Sequence, residues 1–144
     1  MTSQSQARPS DAVIETAVGL ATEARERAYA PYSGFTMGAA VVGADDRSAT
    51  GALVENVSLG LAMCAERVAL FSAVDARIEP HVLAVASRRT DDRLTFPCGA
   101  CLQVALELAG PDLVIVAVDP DGVAERASLA DLLPRAPHRH TFPA

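Results

Sequence analysis

The first segment of the chain has an amphipathic pattern that predicts a helix ending near Ala28. Apolar residues recur there at the three- and four-residue spacing of one helix face; they are Val13, Ile14, Ala17, Leu20, Ala21 and Ala24. Ser10 or Asp11 can cap the first turn. Pro31 and Gly34 then favour a tight connection that ends the helical pattern.

The rest of the pattern predicts a hairpin followed by alternating helices and strands. Short apolar and β-branched runs predict strands at 35–42, 49–54, 81–87 and 113–118. Helical spacing predicts helices at 64–74, 98–109 and 128–133. Because helices cross between the later strands, those strands should be parallel neighbours in one sheet. The pattern therefore predicts an α/β sandwich with no internal repeat or linker.

Length and charge narrow the class of protein. A chain of 144 residues fits a single domain over 1–144, with 1–9 as a frayed lead-in. All 12 basic side chains are arginine, and 18 acidic ones bring the formal net charge to -6. This balance argues against nucleic-acid binding and against a basic membrane-surface module.

Hydropathy suggests where the protein works and how it assembles. The sequence contains no apolar run long enough to cross a membrane and no secretory signal pattern, so we expect a cytoplasmic protein with no membrane partner. The mean hydropathy of +0.21 is high for a small monomer. We therefore expect apolar surface to be buried between subunits.

Three cysteines form the pattern of a metal site. Cys98 and Cys101 are three residues apart in the first turn of a predicted helix, so both side chains point to one side. Cys64 begins another predicted helix, and helix N-termini favour thiolate over thiol. Three thiolates are sufficient protein ligands for a catalytic Zn²⁺, whose fourth position stays open.

Two charged residues next to Cys64 suit the chemistry of such a site. Glu66 is too close to Cys64 to be a comfortable second ligand, but its carboxylate can carry a proton from a metal-activated water to a substrate nitrogen. Three thiolates on a divalent ion leave a net charge of about -1. Arg67 can offset that charge, so that the bound water keeps a pKa near ~7.

Other interpretations of the three cysteines remain open. A redox pair of the thioredoxin type would use Cys98 and Cys101 but leaves Cys64 and Glu66 without a role. A structural zinc needs a fourth ligand. Besides carboxylates, the sequence offers His81, His138 and His140 for that position. A silent zinc-binding module that retains the fold for assembly is a further possibility, which nothing in the sequence favours.

The chain resembles the small cytidine deaminase family along nearly its whole length. The matching segments are 29–35 (YAPYSGF), 37–40 (MGAA), 54–56 (VEN), 64–67 (CAER), 96–101 (FPCGAC) with Gln103, and 131–134 (DLLP). A metal ligand, one residue and Glu, followed later by Pro-Cys-x-x-Cys, is the signature of zinc deaminases, here with cysteine as the first ligand. The resemblance implies a three-layer α/β/α sandwich with a mixed sheet of about five strands, and hydrolytic deamination of a cytosine ring with Zn²⁺ as cofactor.

The resemblance also implies a set of residues that bind the substrate. Phe35 would pack on the pyrimidine, although it can equally be a core residue at the start of a strand. Glu55 would bind the ribose, Ala65 would contact the substrate, and Arg67 would soften the thiolate charge. Family members of this length are usually homotetramers with active sites at subunit contacts. We therefore expect a homotetramer that acts on a small cytosine nucleoside or analogue.

Three leucines depart from the family pattern. Leu53 stands where members usually have an Asn that binds the ribose, Leu59 where they often have Tyr, and Leu102 where they usually have Arg. A sugar hydroxyl left unpaired costs about 1–3 kcal/mol if it is desolvated. The substrate is therefore either cytidine or deoxycytidine, or another cytosine-containing compound such as blasticidin S. Phe142 is a candidate for the tail aromatic that reaches a neighbouring active site in members.

Overall fold

Helices and strands alternate along residues 7–138, the part of the chain that this computed structural model describes. The helices are α1 (Asp11–Arg25), α2 (Ala65–Asp75), α3 (Gly99–Ala109) and α4 (Leu129–Leu132), with a 3₁₀ turn at Leu59–Leu61. The strands are β1 (Met37–Gly43), β2 (Ser48–Ala52), β3 (Pro80–Ser87), β4 (Val114–Val118) and β5 (Ala124–Ser128). Within these residues, no helix combines the length and the apolar character that crossing a membrane requires.

The strands form one mixed sheet in the order β2-β1-β3-β4-β5. β3 and β4 run parallel, as their crossover helix predicts, and the other neighbours are antiparallel. The sequence pattern missed β5, whose residues are Ala-Glu-Arg-Ala-Ser and mostly exposed. Such a segment has little intrinsic strand preference, and it is a strand because β4 provides a pairing partner.

Helices cover both faces of the sheet, which confirms the three-layer α/β/α architecture. Successive strand residues point to opposite faces. Ala40 and Val42 of β1 therefore pack with α1, whereas Ala39 and Val41 belong to the core on the side of α2, α3 and α4. β3 is central and is buried at every position except His81, which is half-buried.

The connection after α1 is tied to the segment after β2. Ser10 caps α1 as expected, but the helix ends at Arg25, three residues before the predicted Ala28. The Tyr29 amide donates to the Leu53 carbonyl at 2.8 Å, and the Glu55 amide donates to the Tyr29 carbonyl at 2.8 Å. These bridges bring the two predicted substrate-binding segments together.

Asp119 anchors the loop that leads from β3 to Cys98. Its carboxylate is almost fully buried and accepts a hydrogen bond from Arg89 Nε at 2.7 Å. Its other oxygen accepts the amides of Asp121 and Val123 at 3.0 and 2.9 Å. The hydrogen bond from Arg89 is the main reason that the pKa of Asp119 is lowered.

We expect Asp119→Asn to lower the melting temperature at pH 7 by about 5–10 °C, because the charged hydrogen bond to Arg89 is lost. The folded-state pKa lies below the unfolded value of about 3.9, so the wild-type advantage is present above that pH and lost as pH falls through the folded pKa. Thermal melts at several pH values measure this. Asp121→Asn, in the same turn, is the control, and equal melting of both variants would contradict the expectation.

Candidate metal and catalytic site

The N-termini of α2 and α3 bring the three cysteines together. Cys64 is the residue before α2, Cys98 is the residue before α3, and Cys101 lies in the first turn of α3. Their sulfur atoms all lie within 4.8 Å of one another. The Cys98 and Cys101 sulfurs are 3.6 Å apart. Among residues 7–138, no other group of His, Cys, Asp and Glu side chains has this geometry.

The sulfur cluster fits the coordination of zinc. A tetrahedral ion with Zn–S bonds of about 2.3 Å needs sulfurs about 3.8 Å apart, which agrees with the separations here. No histidine or carboxylate of the described residues belongs to the cluster, and His140 lies outside them. Three ligands without a fourth are typical of catalytic sites, whereas structural sites have four. A redox pair of Cys98 and Cys101 would leave the third sulfur unexplained.

The environment of Cys64 favours its thiolate. Arg67 Nη2 lies 3.6 Å from the Cys64 sulfur and donates a hydrogen bond to it. The pKa of Cys64 is lowered to about 5, first because the Cys101 thiol donates a hydrogen bond to its sulfur and then because Arg67 does so. That same bond, together with burial, raises the pKa of Cys101. Arg67 therefore contacts the sulfur whose charge it was expected to offset.

Glu66 is a buried carboxylate with an unpaired oxygen. The residue is 1% exposed, and its Oε2 has no hydrogen-bond partner within residues 7–138. Burial disfavours the charged form and is the main reason that the pKa of Glu66 is raised to about 7. Glu66 is not part of the three-sulfur cluster. A buried carboxylate left unpaired beside a metal-binding cluster is typical of a functional group.

The comparison with known families agrees with this geometry. Residues 12–117 match the sequence profile of the family described as "Cytidine and deoxycytidylate deaminase zinc-binding region". The chain belongs to this family. Its members are hydrolases of the amidine C–N bond of the cytosine ring, and the chain is an enzyme of that class. The resemblance to the cytidine deaminase family is therefore confirmed, and the matched region is described as zinc-binding.

Curated relatives match most of this deaminase chain. It is 41% identical over 116 residues to the cytidine deaminase of Halalkalibacterium halodurans, which covers 81% of this chain and 87% of that protein. It is 42% identical over 118 residues to the cytidine deaminase of Mycobacterium tuberculosis, with 82% and 84% covered.

Solved structures of deaminases share the fold. The crystal structure of cytidine deaminase from Burkholderia pseudomallei superposes with a TM-score of 0.79 at 44% identity, covering 85% of this chain and 97% of that one. That of cytidine deaminase from Mycobacterium tuberculosis has a TM-score of 0.74 at 37% identity, with 89% and 98% covered. These matches confirm the α/β fold class.

In this deaminase fold, Glu55 already serves a local role. Its Oε1 accepts the main-chain amides of Tyr32 and Ser33 at 3.0 and 3.2 Å. Hydrogen bonding to Ser33 is the main reason that the pKa of Glu55 is lowered. One oxygen therefore holds the connection after α1, and a carboxylate has a second oxygen with which to bind a sugar hydroxyl.

The ring of Phe35 contacts the core, as expected for a residue at the start of a strand, and it also contacts an arginine that the sequence did not predict. Its half-buried ring packs against the core on the α2 side, as does the side chain of Leu53. The guanidinium of Arg88 lies over the ring, 4.8 Å from its centre. The sequence reasoning missed Arg88, because only the β1–β3 register, which pairs Met37 with Ser87, brings this arginine close to Phe35.

Ala65, predicted to contact the substrate, has no exposed side-chain surface. It is the first residue of α2, where main-chain N–H groups have no partner within the helix. The exposed fraction of 0% includes the main chain, so the described residues leave no surface of Ala65 open to a substrate. Phe142 lies outside the described residues.

Proposed function

We propose that the protein hydrolyses cytidine or deoxycytidine to uridine or deoxyuridine and ammonia, with Zn²⁺ held by Cys64, Cys98 and Cys101. The convergence of three sulfurs beside the buried carboxylate of Glu66 is the observation that carries this proposal. The names of the relatives, cytidine deaminases at about 40% identity, support the same substrate. Zinc, when bound, supplies Lewis acidity that lowers the pKa of a water to about 7.

Glu66 moves the protons in this reaction. Hydrolysis forms a C4–O bond and breaks the bond from C4 to the exocyclic nitrogen, so protons must leave the attacking water and reach the ring N3 and then the departing ammonia. The Glu66 carboxylate takes one proton from the attacking water and delivers it to N3. It then takes the second proton from the hydroxyl group on C4 and delivers it to the leaving nitrogen. An unpaired Oε2 supports this role, since no other group of the described residues competes for it.

Arg67 and the predicted substrate residues complete the site. Arg67 reduces the negative charge of the sulfurs through its hydrogen bond to Cys64, which preserves the acidity of the ion. Phe35 packs against the pyrimidine, Glu55 binds the sugar, and Ala65 contacts the substrate. The proximity of the segments after α1 and β2 supports a shared substrate pocket.

A panel of substrates tests the proposal on protein of measured zinc content. Cytidine, deoxycytidine, free cytosine and blasticidin S are compared by the change in ultraviolet absorbance on deamination. We expect cytidine and deoxycytidine to have the highest kcat/KM. Much faster turnover of blasticidin S or of a base analogue would overturn the assignment and favour the second candidate, another cytosine-containing compound. That candidate has one specific observation in its favour, the apolar side chain of Leu53, which packs against the same core cluster as Phe35.

Leu53→Asn tests what the leucine does at the sugar end. If a nucleoside is the substrate, an Asn amide can pair with a sugar hydroxyl, and we expect KM for cytidine to fall about fivefold. Free cytosine has no sugar and is the matched control, whose kinetics should not change. An equal effect on both substrates would show that position 53 acts on the fold and not on the sugar.

We also propose that the protein is a cytoplasmic homotetramer, each chain a single domain over residues 1–144. An apolar segment between β2 and α2 supports the assembly, because Val57, Leu59 and Leu61 are 80%, 84% and 69% exposed in the single chain. Surface this apolar is typical of subunit contacts. Sedimentation equilibrium measures the mass, and a monomer at micromolar concentration would contradict the proposal.

A further inference from the structure

Helix α2 lies unusually close to β2 at Gly51. A Cβ at this position would be 2.5 Å from the Ala65 carbonyl oxygen, 2.5 Å from the Ala69 amide nitrogen and 2.8 Å from the Val68 Cβ. All three atoms belong to the first turns of α2. Non-bonded carbon atoms rest about 3.5–4.0 Å from their neighbours. Any residue larger than glycine would therefore push α2 away from the sheet by about 1 Å.

The part of α2 that Gly51 contacts lies next to Cys64 and Glu66, two of the four main residues of the candidate site. Ala65 stands between Cys64 and Glu66, so a shift of its carbonyl moves both residues. Cys98 directly precedes α3 and Cys101 lies in its first turn, whereas the three atoms nearest to a Cβ at Gly51 all belong to α2. The distance between Cys64 and the other two sulfurs therefore depends on how closely α2 approaches β2.

We propose that Gly51 is a positioning residue: its missing side chain seats the N-terminus of α2 on the sheet and so sets Cys64 and Glu66 relative to Cys98 and Cys101. The effect on metal binding stands on geometry alone, whereas the effect on turnover rests on the proposed function. Gly51 touches neither substrate nor metal and acts only through α2.

Gly51→Ala tests the proposal, and Gly38→Ala is the matched control. Gly38 lies on β1 in an equally tight contact, where a Cβ would overlap the main chain of Ala21 and Arg25 in α1. Helix α1 packs on the opposite face of the sheet and carries none of the predicted site residues. Both variants add one methyl group against a helix backbone, so both should lose stability.

Zinc affinity, measured by competition with a chromophoric chelator, separates the two variants. The measurement is made at a temperature where circular dichroism shows every variant folded. We expect Gly51→Ala to weaken zinc binding about 10- to 100-fold, a range typical of changes in the groups that orient metal ligands. We expect kcat for cytidine to fall about 100-fold, since misplacement by 1 Å has such an effect. Gly38→Ala should keep zinc affinity within about twofold of wild type.

The result that would overturn the proposal is equal zinc affinity in the two glycine variants. If Gly51→Ala does not fold, Ala69→Ser replaces it in the experiment. This substitution adds one atom to the buried face of α2, one turn beyond Ala65. Unchanged zinc affinity in Ala69→Ser would then overturn the proposal. Wild-type protein that binds zinc but deaminates no cytosine compound would remove the proposed function. The zinc measurement would still decide the role of Gly51.

Discussion

Replacing Glu66 by Gln is expected to lower kcat for cytidine by about 10³-fold, within the range that general acid–base catalysis contributes. An amide of the same size fills the same buried space but cannot take a proton from water and deliver it to N3. Because Glu66 is not one of the three clustered cysteines, zinc content should stay at the wild-type level. Stability should not fall, since the change removes a carboxylate with an unpaired buried oxygen.

The experiment pairs turnover with zinc stoichiometry by mass spectrometry. Glu107→Gln is the matched control, because Glu107 is an exposed glutamate on α3 whose loss should leave kcat unchanged. Wild-type activity in the Glu66 variant would remove Glu66 from the mechanism. Loss of zinc together with loss of activity would instead mean that Glu66 supports the ion.

Cys101→Ser is expected to abolish zinc binding and to lower turnover by more than about 10³-fold. The serine side chain fits the same buried position, but a neutral hydroxyl is a poor ligand for zinc compared with a thiolate. Wild-type protein should melt at a lower temperature after treatment with a chelator, because zinc binds only the folded state. The variant should melt at one temperature with or without the chelator.

Adding zinc back to chelated protein provides the control for this variant. Chelated wild-type protein given one equivalent of zinc should recover its activity and protect all three cysteines from a thiol reagent. The variant should recover neither. A variant that holds one zinc per chain would show that Cys101 is not a ligand, and a reversible Cys98–Cys101 disulfide in the native protein would favour the redox alternative.

Several elements were predictable because their sequence pattern and their tertiary environment agree. The apolar face of α1 repeats at helical spacing, and β3 is an uninterrupted apolar run that is buried on both faces. β5 was not predictable, because its exposed polar residues become a strand only by pairing with β4. The sequence predicted the end of α1 three residues beyond its position in the structure. The hydrogen bonds between Tyr29 and the segment after β2 direct the chain away from the helix before Ala28.

Some features of the candidate site were also predictable from local sequence, whereas others arise only from packing. The spacing of Cys64 and Glu66, and of Cys98 and Cys101, is a local property that sequence displays, and it predicted the metal chemistry. The stacking of Arg88 on Phe35 follows from strand register, and the approach of α2 to Gly51 follows from helix packing. Neither leaves a periodic or motif signal in the chain.

By itself, the sequence determined the candidate ligand types, the acid beside them and the order of the helices and of every strand except β5, because residue chemistry and short-range periodicity are displayed along the chain. Only the tertiary structure decided that Cys64 meets Cys98 and Cys101, which are more than thirty residues away. It also decided that Glu66 is desolvated and that β5 completes the sheet. Distances and burial depend on how layers pack, and packing depends on all the residues that face one another across them.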